Sequence, residues 1–281
     1  MHKFSIQILL LLLLINIRPS AYAQGFSYDG NRWYEIEVSI FTNQGISGAN
    51  PELFFPGDIE LSYPERILEL TPLSQFYSID FSEPPRSQPF PPMPFADDTQ
   101  PPAFIGPEYR APNEDFRLVD KDRSPFIALG SEEHEFTRYN RNLAQSPSHR
   151  LLYHAVWRQP VLNKIQASAI LIRGGDRFGE HSELEGGLTI SYNINRVDVD
   201  ALLWRNAFNI SSSVDWNVPS PPLRSEEEDG TQSLVIERVY PMQQTRQMIS
   251  NQLHYLDHPA FGMLIEVRPY ELPPLFDFSL D

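Results

Sequence analysis

Ten of the chain's 26 prolines fall within the 29 residues from Pro84 to Pro112. Proline donates no backbone hydrogen bond and clashes with a preceding helical turn, so this stretch can form neither a helix nor the interior of a sheet. We therefore predict an extended insertion over residues 82–125, and a second loop, rich in proline and acidic residues, over 211–230. Because loop-closure entropy grows only logarithmically with length, both loops can interrupt one domain, 24–281, without dividing it.

The first 23 residues have the pattern of a secretory signal. Lys3 precedes an apolar run over residues 6–15, and Ala21-Tyr22-Ala23 is an A-x-A cleavage pattern. The apolar run is about half of the roughly 20 residues that a bilayer core requires, so we predict cleavage after Ala23 rather than a retained anchor. The mature chain, 24–281, is then expected to be exported with no membrane span, which in a Gram-negative cell means the periplasm.

Alternating apolar residues predict that much of the remaining chain forms strands. The clearest segment is 32–41, in which Tyr34, Ile36, Val38 and Ile40 share one face. Further strands are predicted at 165–172, 184–193, 197–204, 234–240 and 263–267, and residues 150–161 are predicted to be a strand or a helix–strand transition.

Few segments favour helix. One is predicted over residues 131–143, where Ser131 can cap the N-terminus and Arg138 and Arg141 suit the C-terminal end of the helix dipole. A second, short helix is predicted within residues 64–73, and a turn at 173–176. Together these patterns indicate an α+β fold: a mainly antiparallel sheet with one or two packed helices and long proline-rich loop insertions.

Missing residue types and motifs exclude several classes of function. With no cysteine, the chain can hold neither a disulfide nor a thiolate metal site nor a cysteine nucleophile. A net charge of −15 and a pI near 4.9 argue against nucleic-acid binding, which needs a cationic surface. Phosphate-binding, dinucleotide-binding and serine-nucleophile motifs are also missing from the sequence. We therefore predict no catalytic residue and no cofactor.

The string H-Y-L-D-H, from His254 to His258, is the one motif with metal-binding potential. In a helix, the two histidines would share a face and could bind zinc. However, Pro259 follows at once and Asn251 precedes closely, which leaves little room for a helix. In a strand the two histidines lie about 13 Å apart, given a rise of roughly 3.3 Å per residue. We therefore predict no metal site.

Several segments together resemble one known family. They are W-Y-E-I-E from Trp33, L-Y-H-A-V-W-R-Q-P from Leu152, V-D-V-D-A-L-L-W from Val197, and Q-L-H-Y-L-D-H-P from Gln252 with F-G-M-L-I from Phe261. In combination they resemble the CsiV family, the cell-shape-integrity proteins of Gram-negative bacteria. The resemblance implies a periplasmic, non-enzymatic protein that binds peptidoglycan. It also implies action with an outer-membrane lipoprotein activator of a class A penicillin-binding protein, and thereby support of peptidoglycan assembly.

The chain departs from the family before the H-Y-L-D-H string. Family members tend to have a basic run there, whereas residues 243–248 hold one arginine, so contact with the ligand is weaker if that run matters. The resemblance supplies no ligand residues, and the site is therefore predicted from the chemistry of this string and its flanks. The predicted ligand-binding residues are Trp157, Arg158, Arg246, His254, Tyr255, Asp257 and His258.

Two alternatives stay open. The tyrosine and histidines of H-Y-L-D-H could instead cap the end of the sheet. The chain could also be a murein-active hydrolase that uses a pair of carboxylates or a histidine-bound metal.

The signal pattern yields a direct test. Protein isolated from the periplasm of an exporting cell is expected to have the intact mass of a chain that begins at Gln24, because A-x-A directs cleavage after Ala23. A membrane-bound species that keeps Met1 would contradict this prediction.

Overall fold

The computed structural model describes residues 30–43, 55–73, 120–212, 214–222 and 234–273. The predicted signal, residues 82–119 of the predicted insertion, and residues 213 and 223–230 of the second predicted loop lie outside them. The strands are β1 (Trp33–Asn43), β2 (Ile67–Leu68), β3 (Thr71–Pro72), β4 (Ile127–Ala128), β5 (His149–Pro160), β6 (Ala169–Phe178), β7 (His181–Asn193), β8 (Arg196–Asn209), β9 (Val235–Met248), β10 (His254–His258) and β11 (Phe261–Tyr270). One helix, α1 (Thr137–Gln145), follows a 3-10 turn at Ser131–Glu133.

The strands form two sheets. The first sheet has the order β10-β11-β1-β5-β4-β3 and the second has the order β2-β6-β7-β8-β9. All pairs between long strands are antiparallel, and only the short pairs β2–β6 and β3–β4 are parallel. The prediction of an α+β fold with mainly antiparallel pairing therefore fits, but the strands divide between two sheets. No helix in the described part of the chain is long and apolar enough to cross a bilayer.

One hydrophobic core joins the two sheets. In β1, Ile36, Val38 and Ile40 are wholly buried and share the face predicted from alternation. In β8, Val199 and Leu203 are wholly buried in the same cluster. Because side chains alternate across a strand, each sheet contributes one face to this core and keeps an outer face.

Tyr63 and Pro64 pack on the outer face of the second sheet. The Tyr63 ring meets the wholly buried Trp204 edge-on, with the ring centroids 4.8 Å apart. Pro64 lies so close to Gly187 that a Cβ at the glycine would stand 2.8 Å from its ring. Glycine at this position therefore permits close contact between the covering segment and the sheet.

The predicted helix within residues 64–73 is wrong. Ile67–Leu68 pairs with β6 of the second sheet and Thr71–Pro72 pairs with β4 of the first, so this segment crosses from one sheet to the other. Its apolar residues do not line one face of a helix, because each short strand pairs with a strand that is distant in sequence. Tertiary pairing here overrides weak local propensity.

Two other boundaries differ from the prediction. The helix begins at Thr137 instead of Ser131, because the backbone N–H groups of Glu135 and Phe136 both bind the Glu37 carboxylate. Residues 173–176 are not a turn: β6 continues to Phe178 through a bulge, and the turn falls at 179–180. A Cβ at Gly174 would overlap the Leu152 carbonyl, so the glycine serves a close approach of β5 and not a reversal of the chain.

Packing of residues 55–66 on the second sheet can be tested at Tyr63. Its hydroxyl is buried with no hydrogen-bond partner among the described residues. Tyr63→Phe is therefore expected to leave the free energy of unfolding unchanged or to raise it, whereas Tyr63→Ala is expected to lower it by roughly 2 kcal/mol or more. Urea denaturation measures both. If Tyr63→Ala has the same urea midpoint as the parent, the ring does not pack on Trp204.

Candidate functional site

Most of the polar and aromatic side chains of β1 lie on the outer face of the first sheet. Alternation places Glu35, Glu37, Ser39 and Phe41 there, opposite the core. The neighbouring strands β5 and β11 are in register with these residues, and β10 extends the face beyond β11. This face has a charged half and an aromatic half.

Glu37 is the centre of the charged half. Its carboxylate is wholly buried and accepts hydrogen bonds from His154 Nε2 at 3.1 Å, from the N–H groups of Glu135 at 3.1 Å and Phe136 at 2.7 Å, and from Arg268 Nη2 at 3.1 Å. Burial pushes the pKa of Glu37 upward, but these hydrogen bonds outweigh burial and hold it below its ordinary value. Glu37 is therefore an ionised structural group.

Two arginines complete the charged half. Arg158 binds Glu35 at 2.8 Å and Asp122 at 2.9 Å, and its guanidinium lies 4.2 Å from the centre of the Tyr270 ring. Arg268 bridges Glu35 and Glu37, each at 3.1 Å. Burial lowers the pKa of Arg268, but the hydrogen bond to Glu37 and the nearby carboxylates outweigh burial and raise it. Both arginines thus neutralise carboxylates that would otherwise repel one another.

The aromatic half lies where β1 ends. Here Tyr255 and Phe41 stack almost parallel, with an angle of 6° and a centroid distance of 6.2 Å. His149 meets the Phe41 ring edge-on at 5.5 Å. The Tyr255 hydroxyl donates to Asp257 Oδ1 at 2.7 Å. We call Phe41, His149, Tyr255 and Asp257 the aromatic patch.

Tyr255 is held in a fixed orientation in this patch. Its ring crosses Gly262, where a Cβ would stand 2.7 Å from Tyr255 Cε2. Nonetheless 45 % of the residue is exposed to solvent. Burial and the hydrogen bond to Asp257 raise its pKa to about 12, so the phenol stays neutral at physiological pH. The patch therefore offers solvent a fixed, uncharged ring beside a carboxylate.

The H-Y-L-D-H string forms β10. In a strand, its two histidines lie too far apart to bind one metal ion. His254 Nε2 accepts the N–H of Ile249 at 3.0 Å, and His258 Nδ1 accepts the N–H of Ala260 at 3.1 Å. Each histidine thus binds the backbone of a flanking turn, which agrees with a role at the end of the sheet. The described residues contain no cluster of three or more His, Asp or Glu side chains that could hold a metal.

The structure brings only some of the predicted residues together. Tyr255 and Asp257 are adjacent on β10, and Arg246 lies exposed on β9, whose Gln244 donates Nε2 to the Asp257 carbonyl at 2.8 Å. Trp157 and Arg158 lie on β5, three strands from β10, or roughly 14 Å at 4.8 Å per strand.

Trp157 and Arg158 are also occupied. Trp157 is wholly buried in the core and its indole N–H binds Gln159 Oε1 at 2.8 Å. The Arg158 side chain is 8 % exposed and committed to its carboxylates. Phe41 and His149 were not predicted for the site. Only strand register brings them beside Tyr255, and the local sequence carries no signal for it.

Comparison with known proteins gives one family. The family model described as "Peptidoglycan-binding protein, CsiV" matches residues 5–270. No curated protein and no solved structure matches the chain.

The buried Glu37 yields a pH-dependent prediction. Glu37→Gln keeps the shape but removes the charge that Arg268 and His154 bind, so the free energy of unfolding is expected to fall by about 2–4 kcal/mol at neutral pH. A carboxyl whose pKa is lowered on folding stabilises above its unfolded pKa, and this contribution is lost as pH falls through the folded pKa. The difference between parent and variant should therefore shrink below pH 4.5.

Urea unfolding at neutral and acidic pH measures this difference. Glu135→Gln is the matched control, because that side chain contacts the same Arg268 but is 64 % exposed, and little change is expected. Equal effects of the two substitutions would rule out a special structural role for Glu37.

Proposed function

Because this chain belongs to the CsiV family of peptidoglycan-binding proteins, we propose that it binds peptidoglycan without turning it over, through the aromatic patch. The observation that carries this proposal is the half-exposed Tyr255 ring, stacked on Phe41 and hydrogen-bonded to Asp257. A sugar ring has an apolar C–H face and a rim of hydroxyl groups. A flat aromatic ring fits the face, and a carboxylate accepts hydrogen bonds from the rim.

The rigidity of the patch supports binding. Tyr255 is confined between Phe41 and the bare backbone of Gly262, so little side-chain entropy is lost when a ligand stacks on it. Tyrosine also has few rotatable bonds for its contact area, which makes it an effective anchor.

The charge distribution restricts where an anionic polymer can bind. The chain carries a net charge of −15, and the stem peptides of peptidoglycan carry carboxylates. Attraction must therefore come from local contacts. Arg246 is exposed on β9, beside the strand that holds Tyr255, and its guanidinium is available to pair with a carboxylate in this region.

The two glutamates of β1 on the outer face, Glu35 and Glu37, favour binding over hydrolysis. Glycoside hydrolysis needs two carboxyl groups that reach the scissile bond. Glu37 is buried with four donors, and Glu35 is bound by Arg158 and Arg268. In this arrangement both carboxylates stabilise the sheet through their hydrogen bonds.

The wider role follows from the family resemblance. We propose that the exported protein acts in the periplasm with an outer-membrane lipoprotein activator of a class A penicillin-binding protein, and thereby supports cell-wall assembly. The sequence pattern of a secretory signal agrees with this location.

The patch can be tested by co-sedimentation with purified sacculi. Tyr255→Ala is expected to weaken the affinity for sacculi by about thirty-fold, because a desolvated aromatic anchor contributes about 2 kcal/mol or more. Tyr255→Phe keeps the stacking ring and should retain most of the binding. Tyr139→Ala is the matched control, since Tyr139 on α1 is equally exposed, at 45 %, and should bind like the parent.

Soluble muropeptides from the same samples test turnover. Retention without release supports a binding protein, whereas release that a chelator abolishes would establish a metal-dependent hydrolase. If folded Tyr255→Ala binds like the parent, the contact surface lies elsewhere on the protein.

A further inference from the structure

Three loops meet at one end of the two sheets. They are residues 162–168 between β5 and β6, 194–195 between β7 and β8, and 249–253 between β9 and β10. The N–H of Tyr192 donates to the Leu162 carbonyl at 2.7 Å, which joins the first loop to the end of β7, just before the second loop. Val197 pairs with Met248, which places the start of the third loop beside the second. The third loop then runs along β11, where the Asn251 N–H donates to the Val267 carbonyl at 3.0 Å. We call these three loops the tip.

The tip exposes aliphatic side chains from every loop. Ile165 is 84 % exposed, Ile194 is 85 % exposed, and Ile249 and Leu253 are 49 % and 40 % exposed. Single exposed apolar residues are common on protein surfaces, but a group on converging loops marks an interaction site.

Ile194 breaks a local rule of backbone conformation. Its φ is 51°, in the left-handed region that favours glycine and asparagine, and Asn195 stands directly beside it. A β-branched residue in this region is an outlier, because its Cβ crowds the backbone. The chain thus places an isoleucine where both its conformation and its exposure are unfavourable, which points to a contact that the isolated molecule lacks.

The tip also differs from the rest of the chain in charge. The sequence has 37 acidic and 22 basic residues, yet the three loops contain no Asp or Glu. Lys164 lies within the tip, where it is 71 % exposed and pairs with Asp200 at 3.1 Å, and the exposed Arg196 follows Asn195. Arg32 reaches the same end, where its Nη1 donates to the Tyr192 hydroxyl at 2.7 Å.

We propose that the tip inserts shallowly and reversibly into the surface of a phospholipid bilayer. Protein interfaces are anchored mainly by Trp, Tyr and Arg, whereas the exposed anchors here are Ile and Leu. A bilayer surface has acyl chains beneath a layer of phosphates. The exposed aliphatic side chains of the tip match the acyl chains, and the neighbouring cations and the Tyr192–Arg32 pair match the phosphates.

Most of the aromatic patch lies away from the exposed isoleucines of the tip. Phe41 lies nine residues along β1 from Arg32, or roughly 30 Å at about 3.3 Å per residue. Tyr255 is nearer, because it follows Leu253 of the third loop by two residues. The membrane contact does not depend on what the patch binds.

Flotation with vesicles of phosphatidylethanolamine and phosphatidylglycerol tests the tip, with the processed full chain. The parent is expected to float with the vesicles, and Ile194→Asn is expected to reduce the bound fraction several-fold. Asparagine tolerates the left-handed region, so the thermal midpoint of this variant should stay equal or rise. Ile165→Asn, in another loop and at a position of normal φ, should also weaken flotation.

Ile210→Asn is the matched control. Ile210 is 83 % exposed but follows β8 at the far end from the tip, roughly 45 Å away by strand length, so binding should not change. Equal losses in Ile194→Asn and Ile210→Asn, or no flotation of the parent, would overturn the proposal. So would a parent dimer in light scattering that Ile194→Asn dissociates, because the tip would then bind a second copy.

Discussion

The hydrogen-bonded carboxylate of Glu37 is the interaction on which the first sheet depends. It joins His154 of β5, Arg268 of β11 and the turn that starts α1 to the central strand β1. A buried charge is costly unless its hydrogen bonds are complete, and the four donors here come from three separate parts of the chain. The position of α1 across β1 and β5 therefore follows from the need to satisfy one side chain.

The second sheet uses the same solution. Glu185 of β7 is wholly buried on the outer face and accepts hydrogen bonds from His181, from the Ser182 N–H, and from the side chains of Trp204 and Asn206. The segment that holds Tyr63 covers this cluster as α1 covers Glu37. Each sheet thus has an apolar inner face and an outer face closed over a buried glutamate, which leaves the aromatic patch as open surface on the first sheet.

The two proposed contact surfaces lie at different places on this framework. The aromatic patch depends on strand register, since Tyr255 stacks on Phe41 across the intervening β11. The tip depends on the loops that connect the strands, since its side chains come from three connections. The length of β1 separates Phe41 of the patch from the end that holds Ile165 and Ile194, whereas Leu253 of the tip lies two residues before Tyr255.

The sequence by itself determined most of the strands, because alternation of apolar residues is a local property. It argued against a helix at H-Y-L-D-H, since Pro259 follows at once, but it did not predict the strand β10 there. It also predicted Tyr255 and Asp257 within one site, because both belong to this short string of polar and aromatic residues.

Only the tertiary structure decided how these segments combine. It buried Trp157 in the core and placed Arg158 among carboxylates, and it brought Phe41 to Tyr255. It began α1 at Thr137 and turned residues 64–73 into two short strands. Each of these outcomes depends on a partner far away in sequence, and long-range pairing is set by packing and by the satisfaction of buried charge, which leave no periodic signal in the local sequence.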